Sequence, residues 1–509
     1  MRLFIALILF TLSTATFAQS DANQLMQQPT TELETLVPLN DGFVLVMLND
    51  LERPTEMSLR YFNEAEELLA EADITLLRRG LLTQFEGAFE FNGDLVVLTS
   101  LYYPGPKRNH LLFRRFSAPD LTEISSEVID EAYTPEYFRV PFGFAKSHNE
   151  EYMAFYSWTY TLPKDPAKLT VRVFNRQMEQ VWEELYILPF LNESFYIFDF
   201  AVKDNGQALI FCENYAGRPG RYIDEEKIEY RILAAEAGNS NLIEYKLNLP
   251  DRIITGLKAK LDTSGAVVGS ALMQSTRRKS RHDGLYVFRI PPDGQSIQRK
   301  QLALTEEMYE AAYPYGDKES LFTANRHKFA NFVVDYIFVE PDGSWIIAAE
   351  YRKEDTNSYE IEFNDILVVK VDAGLDRIDW IRRVPKRQTG YQGFWPYLSY
   401  KAFHKNDNVF FLYNDSRDNH RQEGPPNSLS EYSGERSRVI LMQIRTGSGE
   451  MVKNDLTELV RAKNVSAIWP SRVWEFFGKS RVSMYGDVVS SRGGVTSLMV
   501  KFAWGDGLY

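Results

Sequence analysis

Short turn signals recur along almost the whole chain at an interval of roughly 50–80 residues, a spacing that points to a repeated structural unit. They read Asn40-Asp41-Gly42, Asn92-Gly93, His148-Asn149, Asp204-Asn205-Gly206, Ser264-Gly265, Asp342-Gly343, Asp407-Asn408 and Gly478-Lys479. Each lies between two short runs rich in β-branched and aromatic residues, which suit a pleated strand. A Gly or Asn between such runs can take the positive φ of a tight hairpin.

Hairpins repeated at that period imply a radial β-repeat, most simply a β-propeller. The repeat can be written as four strands, A to D. In the fourth copy A is Phe198–Lys203, B is Ala208–Glu213, C is Ile228–Ala234 and D is Leu242–Leu247. In the sixth copy the four are Val334–Val339, Trp345–Glu350, Asp365–Val371 and Ile378–Val384. Eight copies begin near Leu33, Gly87, Phe138, Phe198, Gly256, Val333, Leu398 and Arg472. The last has A (Val473–Phe477), B (Arg481–Tyr485) and C (Ser497–Phe502) but no D strand, which an N-terminal strand could supply. The predicted fold is all-β: a seven- or eight-bladed β-propeller of four-stranded antiparallel blades, one domain spanning 33–509. Leu209, Phe211, Ile346, Ala348, Leu367 and Val369 alternate along apolar strands and are expected in the core.

The first 18 residues read as a secretory signal peptide. Arg2 supplies the positive charge, Leu3–Leu12 the short apolar stretch, and Thr16 and Ala18 the small residues of a cleavage site before Gln19. An uncleaved anchor is the alternative. Residues 19–32 form a polar lead-in. The mature chain is expected to be periplasmic or secreted and not an integral membrane protein, since no later stretch is long and apolar enough to span a bilayer. With 14% aromatic and 25% charged residues the chain can build a large core. Its net charge of −13 leaves no general footprint for nucleic acid. Cys212 is the one cysteine, so no intrachain disulfide forms, and its apolar surroundings read as core.

In such a blade the B–C and D–A connections leave on one face, and several are long: Tyr215–Lys227, Gln274–Asp283, Thr305–Asn331, Arg352–Asn364 and Ser416–Arg436. Loops on a rigid scaffold are where binding residues collect. Arg417–Arg436, with Gly424-Pro425-Pro426, is polar and expected to be mobile. On this acidic chain the loops carry basic clusters: Arg218 and Arg221 beside Tyr222, then Arg277, Arg278, Lys279, Arg281 and His282, then Arg326 and His327. Clustered guanidiniums suit carboxylate or sulfate through paired hydrogen bonds, whereas a plain solvated charge run needs no ligand. The D–A connections are aromatic, with Trp395, Tyr397 and Trp469 foremost. Flat rings there could stack on sugars or grip a peptide; equally they could pack blade on blade. The likeness of Phe394-Trp395-Pro396-Tyr397 to Ile468-Trp469-Pro470 favours a repeated structural role.

No spacing for a metal or cofactor stands out. Six histidines are scattered, without HExxH or paired cysteines, so no metal site and no cofactor are expected. A G-x-S-x-G elbow is missing too.

The hairpin repeat, the exported N-terminus and the length resemble bacterial secreted or periplasmic multi-bladed β-propeller proteins, a resemblance of architecture over nearly the whole mature chain. It lacks the Trp-Asp blade ending (Asp379-Trp380 is reversed), the sialidase Asp-box and the quinoprotein docking motif, so no family's catalytic residues carry over. The leading reading is an exported propeller binding a protein or an anionic polysaccharide on its B–C/D–A face. The alternative is an extracellular carbohydrate-active enzyme, a polysaccharide lyase or glycoside hydrolase acting on an acidic polysaccharide. Tyr222, Arg281 and His282 are then the first catalytic candidates. A base, an acid and an Arg converging on one cleft would favour the enzyme.

Overall fold

The turn chemistry and strand patterning resolve into eight antiparallel sheets that follow one another along the chain. The structure is a computed structural model. It describes residues 32–503 apart from 50–53, 64, 66, 79, 135–141, 160, 217–224, 276–281, 313–330, 356–359, 392–396, 420–428, 431, 433–436, 458–466, 477–480 and 490–494. The eight A strands are Glu32–Leu39, Leu81–Phe91, Phe142–Lys146, Phe195–Val202, Arg252–Leu261, Phe332–Val339, Tyr400–Lys405 and Ala467–Phe476. Within each sheet the strands pair in chain order. Blade 2 gains a two-residue edge strand, Leu77–Arg78, while blade 8 has three strands among the described residues. The A strands of blades 1 and 8 touch each other, so the last sheet returns to the first. This is an eight-bladed β-propeller. Residues 19–31, the expected source of a fourth strand for blade 8, lie outside the described residues, as does the turn at Gly478-Lys479.

The seven described A–B turns stand where the sequence puts them. In blade 6 the Asp342 carboxylate accepts hydrogen bonds from the Ser344 amide (2.8 Å) and hydroxyl (2.6 Å), while Gly343 takes φ +85°. Asp262 and Ser264 repeat that arrangement in blade 5. Two turns place the left-handed residue elsewhere. It is Glu150 rather than Asn149 in blade 3, and Asn406 rather than Asn408 in blade 7. Asn149 instead uses its side chain to accept from the Glu151 amide at 3.0 Å, and Glu150 donates to the Ser147 carbonyl to close the turn.

Blade 6 departs most from expectation. The loop expected at Arg352–Asn364 is mostly ladder, for the B strand runs Trp345–Asp355 and the C strand Glu360–Val371. Arg352 faces Phe363 and Lys353 faces Glu362 across it. The Arg352 guanidinium stacks over the Phe363 ring at 5.4 Å, and Lys353 pairs with Glu362 at 3.0 Å. Such cross-strand pairs extend a hairpin beyond the apolar core.

The core lies between the blades. Leu209, Phe211, Ile346, Ala348, Leu367 and Val369 are all buried. Both faces of each sheet are covered, so apolar runs are continuous rather than alternating. One cluster joins Val268, Leu285 and Leu302 of blade 5 to Ile337, Ile347 and Leu367 of blade 6. Cys212 is fully buried, and burial pushes its thiol pKa up. Among the described residues no helix is long and apolar enough to cross a membrane.

Candidate functional site

The B–C/D–A face was expected to carry the site. Arg218, Arg221, Tyr222, Arg277, Arg278, Arg281, Arg326, His327 and Trp395 lie outside the described residues. His282, Tyr397 and Trp469 are described. His282 is not on the open face. Its ring is buried, with Nε2 2.7 Å from the Thr255 hydroxyl on the A strand of the same blade. Next to it Asp283 holds Arg252 at 2.7 Å, so this end of the B–C loop is fastened to the innermost strand.

Tyr397 and Trp469 come together. Their rings meet edge to face, centroids 5.7 Å apart, and both residues are half-buried. Tyr397 stands in the D–A connection before blade 7, whereas Trp469, expected in such a connection, lies in the A strand of blade 8 (Ala467–Phe476); Asn414 on the B strand of blade 7 (Asn408–Ser416) joins them. Its buried carboxamide donates to the Tyr397 carbonyl (2.9 Å) and the Ile468 carbonyl (2.7 Å), and accepts from the Ile468 amide (3.0 Å). Gln388 donates to the Asn414 carbonyl at 2.7 Å and accepts from the Ser399 amide at 2.7 Å. Asn414 thus anchors the backbone beside both rings, while Phe394, Trp395 and Pro396 of the first of the two similar segments lie outside the described residues. The ends of the polar 417–436 loop are also fastened. Asn419 is buried and bonds both Ser430 backbone groups at 2.7 Å, and Leu429 and Tyr432 are buried.

Beneath this face lies a charged cluster that the sequence reading missed. Strand A of blade 6 carries a β-bulge between Val334 and Tyr336, and Asp335 is the extra residue. A bulge re-aims its side chain. Asp335 receives Arg352 at 2.7 Å, and Arg352 also reaches Glu350 at 3.0 Å. Glu350 holds Lys386 at 2.6 Å, with both side chains fully buried, and accepts from the Ser399 hydroxyl at 2.6 Å. Nearby, Asp365 pairs with Arg383 at 2.8 Å. Burial pushes the Asp335 carboxyl up to about 7, against the pull of Arg352 and with the help of Glu350. Burial likewise lowers the Lys386 ammonium, opposed by Glu350. The available signal was an ionisable residue inside an apolar strand: Asp335 in Phe332–Val339 and Glu350 after Trp345-Ile-Ile-Ala-Ala.

The opposite face holds a cavity of about 770 Å³ at the mouth of the channel. Its lining includes Asn40, Phe89, Lys146, His148, Phe200 and Thr263, from the A–B ends of blades 1 to 5. Lys146 is held there by Glu90 (3.3 Å) and Glu150 (2.5 Å), which neutralise it. Among the described residues no three His, Cys, Asp or Glu side chains converge as metal ligands.

No protein-family model matches the chain, and no curated protein does. Among solved structures it is similar to the β-propeller domain of the trilobed protease from Pyrococcus furiosus, at 11% identity over 84% of this chain and 96% of that one, with a TM-score of 0.37. It is also similar to prolyl oligopeptidase B from Galerina marginata, at 7% identity over 94% of this chain and 56% of that one (TM-score 0.42). A third is the polysaccharide lyase Uly1, at 7% identity over 94% and 90% (TM-score 0.38). At such identities no residue role passes from these proteins to this chain.

Proposed function

We infer that the protein is an exported β-propeller that binds a macromolecule, an anionic polysaccharide or a protein, on its B–C/D–A face. The observation that carries this reading is the fixed edge-to-face pair Tyr397 and Trp469, set by the buried Asn414 carboxamide between the D–A connection before blade 7 and the start of the blade 8 A strand. A rigid aromatic surface loses little freedom on binding. The basic residues that the sequence assigns to the B–C loops of blades 4 and 5 favour an anionic glycan among the ligands.

The enzyme alternative names Tyr222, Arg281 and His282, of which only the buried His282 is described; Asp335, Glu350 and Arg352 form a second cluster to weigh for that role. Their geometry favours scaffold work instead. Glu350 spends its oxygens on Lys386, Arg352 and Ser399, all internal groups. A general base must keep an open position facing substrate.

The test is titration of the protein with alginate, pectate and heparin at low and at physiological salt, with Trp469→Ala alongside. Saturable binding that salt weakens and Trp469→Ala abolishes is expected. Binding of equal strength to Trp469→Ala would overturn the site. Release of unsaturated sugar products would favour the lyase.

A further inference from the structure

The outer edge of blade 3 carries the most exposed apolar side chain of any described strand in the ring, Ile187 at 66%. Its D strand, Gln180–Leu191, is the last strand of its sheet, so one side of its backbone has no partner strand among the described residues. One row of side chains packs inward: Trp182, Tyr186, Leu188 and Phe190 are buried. The alternate row is apolar and open to solvent, with Val181 49%, Leu185 54% and Ile187 66% exposed. Natural edge strands are commonly guarded by lysine, proline or a bulge. At the far end this one has such guards, for Pro189 sits where the register shifts between Pro166 and Lys168. At the near end a second register shift leaves Val181 as an extra residue. From Trp182 to Ile187 it has none, and no Lys or Arg occurs anywhere from Gln177 to Val202. The D strand of blade 5, Gln298–Ala303, shows the contrast, with Arg299 and Lys300 on its exposed edge.

Charge selects what could cover it. Glu179 and Glu183 are exposed in the same row as Val181, Leu185 and Ile187. Glu183 accepts from Arg172 at 3.0 Å and Glu179 from the Asn175 carboxamide at 2.8 Å, yet the Glu183 side chain keeps 41% of its exposure. A second copy of the chain would bring a net charge of −13 toward another −13. The chain's own N-terminal lead-in is a poor complement as well, since no Lys or Arg occurs between Arg2 and Arg53. We propose that the D strand of blade 3 is a docking edge for an extended segment of a partner protein in which apolar residues alternate with lysine or arginine. The segment adds a fifth strand along Trp182–Ile187, beyond the bulge at Val181. Its backbone completes the ladder, its apolar side chains cover Val181, Leu185 and Ile187, and its cations meet Glu179 and Glu183.

The experiment uses the full chain and a fluorescein-labelled decapeptide alternating valine or threonine with lysine, read by fluorescence polarisation. Saturable binding is expected, weakened at least about tenfold when the lysines become glutamates, because like charges then face each other. Leu185→Ser with Ile187→Ser, on exposed positions, should give the same loss with an unchanged melting temperature. Glu179→Gln with Glu183→Gln should lower affinity and flatten its salt dependence. A peptide of the same composition with its lysines in one block should bind weakly. Equal binding of the block peptide, or equal binding by the serine variant, would reduce the effect to bulk charge attraction and overturn the proposal. Sedimentation showing a dimer that the serine variant breaks would assign the edge to a second copy and overturn it too.

Discussion

The two faces of the ring are built by different means. On the A–B face several turns are closed from within. Asp262 reaches Ser264 and Ala266, Asp342 reaches Ser344, and Asn205 reaches Gln207, all within a few residues of chain. On the B–C/D–A face of blades 6 to 8 the bonds that fix the connections join residues far apart in sequence. Asn414 reaches Tyr397 and Ile468, Gln388 reaches Asn414, and Glu350 holds Ser399 and Lys386. The first device tolerates change one turn at a time. The second couples three blades, so the loss of a single group is felt across the face that presents Tyr397 and Trp469.

That contrast is most severely tested at Glu350. Replacing it by Ala leaves the Lys386 ammonium buried without its carboxylate, which should cost about 3–5 kcal/mol in denaturant unfolding. Replacing Glu350 and Lys386 together by Leu and Met should recover most of that loss. A single variant as stable as the native chain would mean that the pair does not hold this face.

Asn414→Ala is the next largest. It removes two donors and one acceptor from buried backbone groups and should cost about 1–3 kcal/mol. It should also free the Tyr397–Trp469 pair, so tryptophan fluorescence anisotropy should fall. Loss of stability with unchanged anisotropy would separate the anchor from the aromatic pair.

Asp335 sharpens the comparison through pH. Its carboxyl holds a proton up to about 7 in the folded ring, against 3.8 for an exposed aspartate. The folded state therefore binds more protons than the unfolded state between about pH 4 and 7, and this contribution to stability is fully present below that window and lost across it as pH rises. The stability difference between the native chain and Asp335→Asn should fall over that range and level off above it. A difference that stays flat from acid to neutral pH would show that Asp335 is ionised throughout.

The smallest effect belongs to the other face. Asp342→Ala removes the cap of one A–B turn and should cost about 1 kcal/mol, with no change at Trp469. A loss as large as that of Asn414→Ala would erase the distinction between the faces.

Much of the architecture was legible because it is written locally. A turn signal such as Asp342-Gly343 needs only its own residues to form, and repetition of such signals delivers the strand order and a count of seven or eight blades, which the structure sets at eight. Leu209, Phe211 and Leu367 were legible as core for the same reason. The eight turns, the apolar strands and the charge of the edge from Gln177 to Val202 are properties of the sequence by itself. Only the tertiary structure decided the rest. The burial of His282 against Thr255 depends on where the A strand passes. The raised pKa of Asp335 depends on a bulge, and the meeting of Tyr397 with Trp469 depends on Asn414 standing between the D–A connection before blade 7 and the blade 8 A strand. Each of these joins groups separated by tens of residues, and no short-range pattern encodes a contact that exists only once neighbouring blades have closed on each other.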